Sequence, residues 1–103
     1  MATSPLPSRS VLDEVVELRR EFHRHPEISF GETETSVRIS ERLRELGLEM
    51  KRCPTETGVV AMLDTGRPGK TVMLRADIDA LPILEESGVD FQSGSEGRMH
   101  ACG

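Results

Sequence analysis

The residues of this chain best suited to chemistry fall in two short stretches. The first, Thr71 to Pro82, reads Thr-Val-Met-Leu-Arg-Ala-Asp-Ile-Asp-Ala-Leu-Pro: an apolar run, Val72-Met73-Leu74, gives way within two residues to Arg75, Asp77 and Asp79. Side chains alternate along an extended chain, so these three share a face. Two carboxylates and a guanidinium leaving a buried strand are costly unless they pair with one another or hold a cation. Open α/β sheets keep their ligands at the carboxyl ends of their strands, which makes this stretch a candidate edge of an active site. The competing reading is structural: Arg75 neutralises one carboxylate in an ordinary ion-pair network.

The second stretch is Met99-His100-Ala101-Cys102-Gly103. Thiolate and imidazole suit zinc and other late divalent ions, with Asp77 and Asp79 as ligands or as groups that orient them. A stable site takes at least three protein ligands and His-x-Cys supplies two, so a small buried thiol is the alternative for Cys102. His23 and His25, two apart on a helical segment, cannot face one point. One is expected at the helix terminus, where the dipole favours it, and the other packed or hydrogen-bonded. Cys53, beside Pro54, reads as structural. Gly66-x-x-Gly69-Lys70 lacks phosphate-loop spacing and leads into a strand, so no nucleotide is expected there.

Composition narrows the classes. The chain has 103 residues, 36% of them hydrophobic, which suits one modest folded domain. It has 3 Phe and neither Tyr nor Trp, so its core is aliphatic and offers no stacking platform for single strands. A net charge of −5 argues against a nucleic-acid partner. No run is long enough for a transmembrane span, and residues 1–9 lack the apolar centre of a secretory signal, reading as a disordered leader. With 2 Cys and no such signal, a cytoplasmic location without a disulfide is expected.

The elements that must position these groups follow in order. Ser10 is expected to cap a first helix carrying Val11, Val15, Leu18 and Phe22 on one stripe and ending near His25, before Pro26. A second helix starts around 32–34, carries Ile39, Leu43 and Leu46 on one face, and stops at Gly47. Its Arg38, Arg42 and Arg44, with Glu41 and Glu45, read as a solvated outer face. Strands are expected at 48–53 and 59–63, then at Thr71 after the turn Gly66-Arg67-Pro68-Gly69. Residues 84–98 form a long loop, of the kind that is usually functional or disordered.

Four segments together resemble a known family. Arg20-Glu21-Phe22-His23-Arg24-His25-Pro26-Glu27-Ile28-Ser29-Phe30 with Glu32 and Glu34-Thr35, then Glu56 to Ala61, Leu74 to Ile83, and Met99 to Gly103, are similar to the opening of metal-dependent amidohydrolases of the aminoacylase, hippurate-hydrolase and indole-acetyl-amino-acid-hydrolase type. The resemblance implies an α/β fold, with two N-terminal helices packed on a mixed β-sheet, as the partial catalytic domain of a zinc-peptidase-like enzyme. Residues 10–103 match the N-terminal part of that catalytic domain, and the lid domain used for dimerisation has no counterpart. It also implies that Cys102 is a metal ligand and that Asp79 supports the metal site from beside the strand. Asp77 stands where related peptidases carry a metal-binding histidine, which leaves its role open.

The implied reaction is hydrolysis of an N-acyl amino acid to a carboxylic acid and an amino acid. It would use two divalent ions per full-length subunit, manganese or zinc, with cobalt or nickel also allowed. The implied partners are a small-molecule substrate and, for the full-length form, a second copy in a homodimer, with neither nucleic acid nor membrane. The general base and the other ligands of the family have no match here, so the chain by itself is expected to be inactive. The alternative is a small non-catalytic binding or interaction module with an enzyme-like beginning.

Overall fold

A computed structural model describes residues 6–102. The first five residues of the expected leader, and Gly103, lie outside the described residues. Helix α1 spans Arg9–Arg24, and its cap is Ser8, whose Oγ accepts the Val11 amide at 3.3 Å. The helix thus starts just ahead of the expected Ser10 cap, because Ser8 is extended and its hydroxyl reaches the free amide three residues on. It ends where Pro26 forbids another turn.

Helix α2 spans Thr33–Glu45 and closes on a two-bond C-terminal motif. The Gly47 amide donates to the Arg44 carbonyl at 2.9 Å and the Leu48 amide to Leu43 at 3.1 Å, with Gly47 at φ +83°. Two of the three arginines expected on a solvated face, Arg38 and Arg42, instead tie α2 to α1. Arg38 Nε lies 3.0 Å from Glu21, and Arg42 pairs with Glu14 and, along its own helix, with Glu45. Glu14 and Glu21 are spaced by two turns and Arg38 and Arg42 by one, so each stripe presents two charges to the other helix.

Strands β1 (Glu49–Lys51) and β2 (Val60–Met62) pair antiparallel, with Met50 opposite Ala61, and α2 lies against β1. The third strand expected at Thr71 does not form. Val72, Met73 and Leu74 are 82%, 84% and 92% exposed, and no described segment pairs with them. An apolar run becomes a buried strand only when neighbours satisfy its backbone groups and cover its faces. Here the turn at 66–69 does not fold the chain back onto β2.

The centre of the fold is a knot of short backbone contacts. Ala80 is the one buried hydrophobic residue among the described residues, at 2% exposure. Its amide donates to the Glu27 carbonyl at 2.7 Å, making a parallel bridge between Ile28 and Ala80. Next to it Leu81 and Met99 exchange two hydrogen bonds, 2.9 and 3.0 Å, in an antiparallel bridge. Apart from Pro26 the other buried residues among those described are polar, and much of the α1 stripe (Val11, Val15) is exposed.

Beside this knot Phe30 holds φ +63°, a left-handed conformation that side chains with a Cβ resist, and its ring is 83% exposed. Since the ring contributes little packing, Phe30→Asn is expected to raise stability by about 0.5–1 kcal/mol, read as a higher thermal midpoint. A lower midpoint would show that the ring packs more than its exposure suggests.

Candidate active-site edge

Three sequence motifs meet at the knot, and each supplies a different kind of group. From the end of α1 comes His23, buried with Glu85. Nε2 lies 2.9 Å from both carboxylate oxygens, and the two side chains are 7% and 4% exposed. An ionised carboxylate only accepts, so Nε2 carries the proton in this pair. Glu85 also accepts the Ser87 hydroxyl and, at 2.6 Å, the Ser93 amide. The Ser87 and Ser93 hydrogen bonds, with His23 behind them, pull the Glu85 carboxyl down to about 2. The Phe91 ring meets His23 edge-on at 5.6 Å, and the Arg20 guanidinium sits 4.8 Å from that ring.

The glutamate that follows Pro26 caps the second helix across a turn. Glu27 accepts the Thr35 amide at 2.6 Å and the Glu34 amide at 3.1 Å, the free donors of the first turn of α2. Burial opposes its ionisation, but the Thr35 hydroxyl and these two amides outweigh that and leave its acidity below the ordinary glutamate value. Glu27→Ala is expected to cost about 0.5–2 kcal/mol, the usual loss of a cap. Amide exchange should quicken first at Glu34 and Thr35; slowing there, or no change, would assign the cap elsewhere.

Around the knot stand the residues singled out from the sequence. Arg75 and Asp77 form an exposed ion pair at 2.8 Å, which is the structural reading of that carboxylate. Asp79 is half-buried and lies within electrostatic reach of His100. Burial and the neighbouring His23 lower the basicity of His100, with Asp79 acting in the opposite sense, and its buried Nε2 has no hydrogen-bond partner among the described residues. Cys102 is exposed and free, not the buried small hydrophobe of the alternative reading.

No protein-family model matches the chain. A thermostable carboxypeptidase 2 of Saccharolobus solfataricus is 45% identical over 96 residues, 92% of this chain and 24% of the relative. An N-acyl-L-amino acid amidohydrolase of Geobacillus stearothermophilus is 48% identical over 94 residues, 90% of this chain and 25% of the relative. The crystal structure of a dinuclear metal-binding peptidase of the M20 family from Bacillus subtilis superposes with a TM-score of 0.88 at 40% identity, covering 94% of this chain and 27% of that one. The chain is homologous to the amidohydrolases and peptidases of the M20 family. It spans about a quarter of the length of the curated relatives it matches.

Against that M20 relationship the donor set is incomplete. The described residues nowhere gather three or more His, Cys, Asp or Glu side chains in a group that could hold a metal ion. The expected convergence of the Cys102 sulfur with Asp77 and Asp79 is therefore not seen as a closed site. Cys102 offers an exposed thiol and His100 an unsatisfied buried nitrogen, and these two donors do not by themselves fit a dinuclear centre.

Sequence reasoning passed over Glu85 and the cap made by Glu27. The first pairs with a residue 62 positions away and carries no local signature. The second has one: a carboxylate seven and eight residues ahead of free helix amides, just before a Ser-x-x-Glu stretch. The loop at 84–98 behaves as expected, irregular but tied down. Closing the roughly eighteen residues between Leu81 and Met99 costs about 2–3 kcal/mol of chain entropy. The two backbone bonds of that bridge return about 1–3 kcal/mol, so they barely balance it.

Proposed function

We propose that this chain is the N-terminal part of the catalytic domain of a metal-dependent amidohydrolase. The reaction is hydrolysis of the amide bond of an N-acyl amino acid, releasing a carboxylic acid and an amino acid. The observation that carries this reading is 48% identity to an N-acyl-L-amino acid amidohydrolase over 90% of the chain. The superposition on a dinuclear metal-binding peptidase supports a pair of divalent ions in the intact enzyme, manganese or zinc foremost. Those ions supply charge that polarises a carbonyl and acidifies water.

In this proposal residues 10–103 belong to the catalytic domain, and the lid and dimer contacts lie in other parts of the enzyme. Cys102 is offered as a thiolate ligand, since it is exposed at the edge of the knot. Asp79 holds the site from the neighbouring segment, and the carboxylate of Asp77 stays with Arg75. A cytoplasmic location is supported by two cysteines that are both unpaired. Among the described residues no helix is long and apolar enough to cross a membrane.

The test has two arms. The 103-residue chain, incubated with manganese or zinc and an N-acyl amino acid, is expected to give no turnover, and turnover would overturn the incomplete-site reading. In a form extended to the length of the relatives, Cys102→Ser is expected to lower activity by at least a hundred-fold. Unchanged activity there would remove Cys102 from the site.

A further inference from the structure

We propose that Glu85, gripped by His23, is a positioning residue: it fixes the segment Met99–Cys102 against Asp79–Leu81, so that the thiol and the acid keep their places. The inference rests on the reading of Cys102 and Asp79 given above, and nothing in the family relationship assigns it.

Ala80 is the one buried hydrophobic among the described residues, yet the same region buries an imidazole and a carboxylate at 7% and 4% side-chain exposure. A buried polar pair gains little stability over an apolar pair of the same shape, and its best-attested use is to fix one arrangement among several. The arrangement fixed here is that of the 84–98 loop. Glu85 binds the helix through His23 and gathers its own loop through the Ser87 hydroxyl and the Ser93 amide. One residue beyond, the Gly94 amide donates to the Arg24 carbonyl at 2.9 Å, so both ends of this turn are fastened to the last turn of α1. Gly94 itself sits so close that an added Cβ would lie 3.2 Å from that carbonyl. Among the described residues, the only backbone bonds then joining the terminal segment to the knot are the two between Leu81 and Met99. Loop-closure entropy nearly cancels those two, so the clamp at Glu85 decides whether they persist.

Amide hydrogen exchange on the 103-residue chain tests this. Glu85→Gln and His23→Leu are each expected to speed exchange at Leu81 and Met99 by ten-fold or more, while Gly47 and Leu48 at the end of α2 change by less than two-fold. His23→Gln, which can still offer an N–H to the carboxylate, should restore most of the protection. Ser87→Ala, an exposed change that leaves the core intact, should move the same two amides about three-fold in the same direction. Exchange at Leu81 and Met99 within two-fold of wild type in His23→Leu or Glu85→Gln overturns the proposal. So does exchange in His23→Gln as fast as in His23→Leu. If a clamp variant unfolds throughout, Ser87→Ala decides alone, and no change there overturns it. Cobalt(II) added to the form extended to the length of the relatives separately reports on Cys102: a thiolate charge-transfer band lost in Cys102→Ser supports the ligand reading. Its absence counts against that reading and leaves the exchange result standing.

Discussion

Acidified from about pH 5 to about pH 2, the chain is expected to unfold, with the far-UV circular dichroism of both helices falling across that window. The fold holds the Glu85 carboxyl at about 2 through Ser87, Ser93 and His23, against an ordinary value of 4.5. A carboxyl depressed by folding stabilises the folded state fully above its unfolded value. The contribution drains away as pH falls toward the folded value, because protonation is then forced on the native state. The window is therefore 4.5 down to about 2 for this group. Glu27 and Glu14 shift the same way, the first despite its burial and through Thr35 and Glu34, the second chiefly through Arg42. Three carboxylates thus push in one direction and sit at three joints: the loop clamp, the α2 cap and the helix pairing. Glu85→Gln removes one titrating group, so its curve should be lower at neutral pH and flatter in acid. Parallel curves for the two proteins would show that Glu85 carries none of the pH dependence.

At concentrations of tens of micromolar the chain is expected to self-associate through Val72, Met73 and Leu74. These three stand 82–92% exposed on an extended segment with no strand beside it. Covering each is worth about 1.5–3 kcal/mol, and an unpaired extended apolar run is a template for intermolecular strand pairing. Val72→Lys with Leu74→Lys places charge on alternate positions and should raise the concentration needed for association by ten-fold or more. The helical signal should not change, because those side chains touch little within the chain. Sedimentation of the wild type as a monomer at a hundred micromolar would contradict this.

The elements that were legible in the sequence are those specified locally. Val11, Val15, Leu18 and Phe22 set the period of α1, Pro26 its end, and Gly47 the left-handed residue that closes α2. The two short strands fall inside their expected ranges. Groups whose partners lie far along the chain were not legible. Arg38 and Arg42 look solvated in their own helix and in fact face Glu21 and Glu14 across the groove. His23 shows no sign of Glu85. Thr71 to Leu74 has the composition of a buried strand, but burial belongs to its neighbours and not to its own residues. The same holds for the candidate site. Asp77, Asp79 and Cys102 are recognisable by type and spacing, whereas what completes a centre around them depends on groups that the described residues do not bring together.

The grip of His23 on Glu85 spans 62 positions, and that separation has a consequence during synthesis. At about 5–20 residues per second the histidine leaves the ribosome roughly 3–12 seconds before its partner exists. Through that interval α1 can form, but its last turn has nothing to close upon, and its apolar stripe is open to chaperones and to neighbouring nascent chains. Helix α1 is thus made well before the loop that fastens its last turn, and stays vulnerable for that interval.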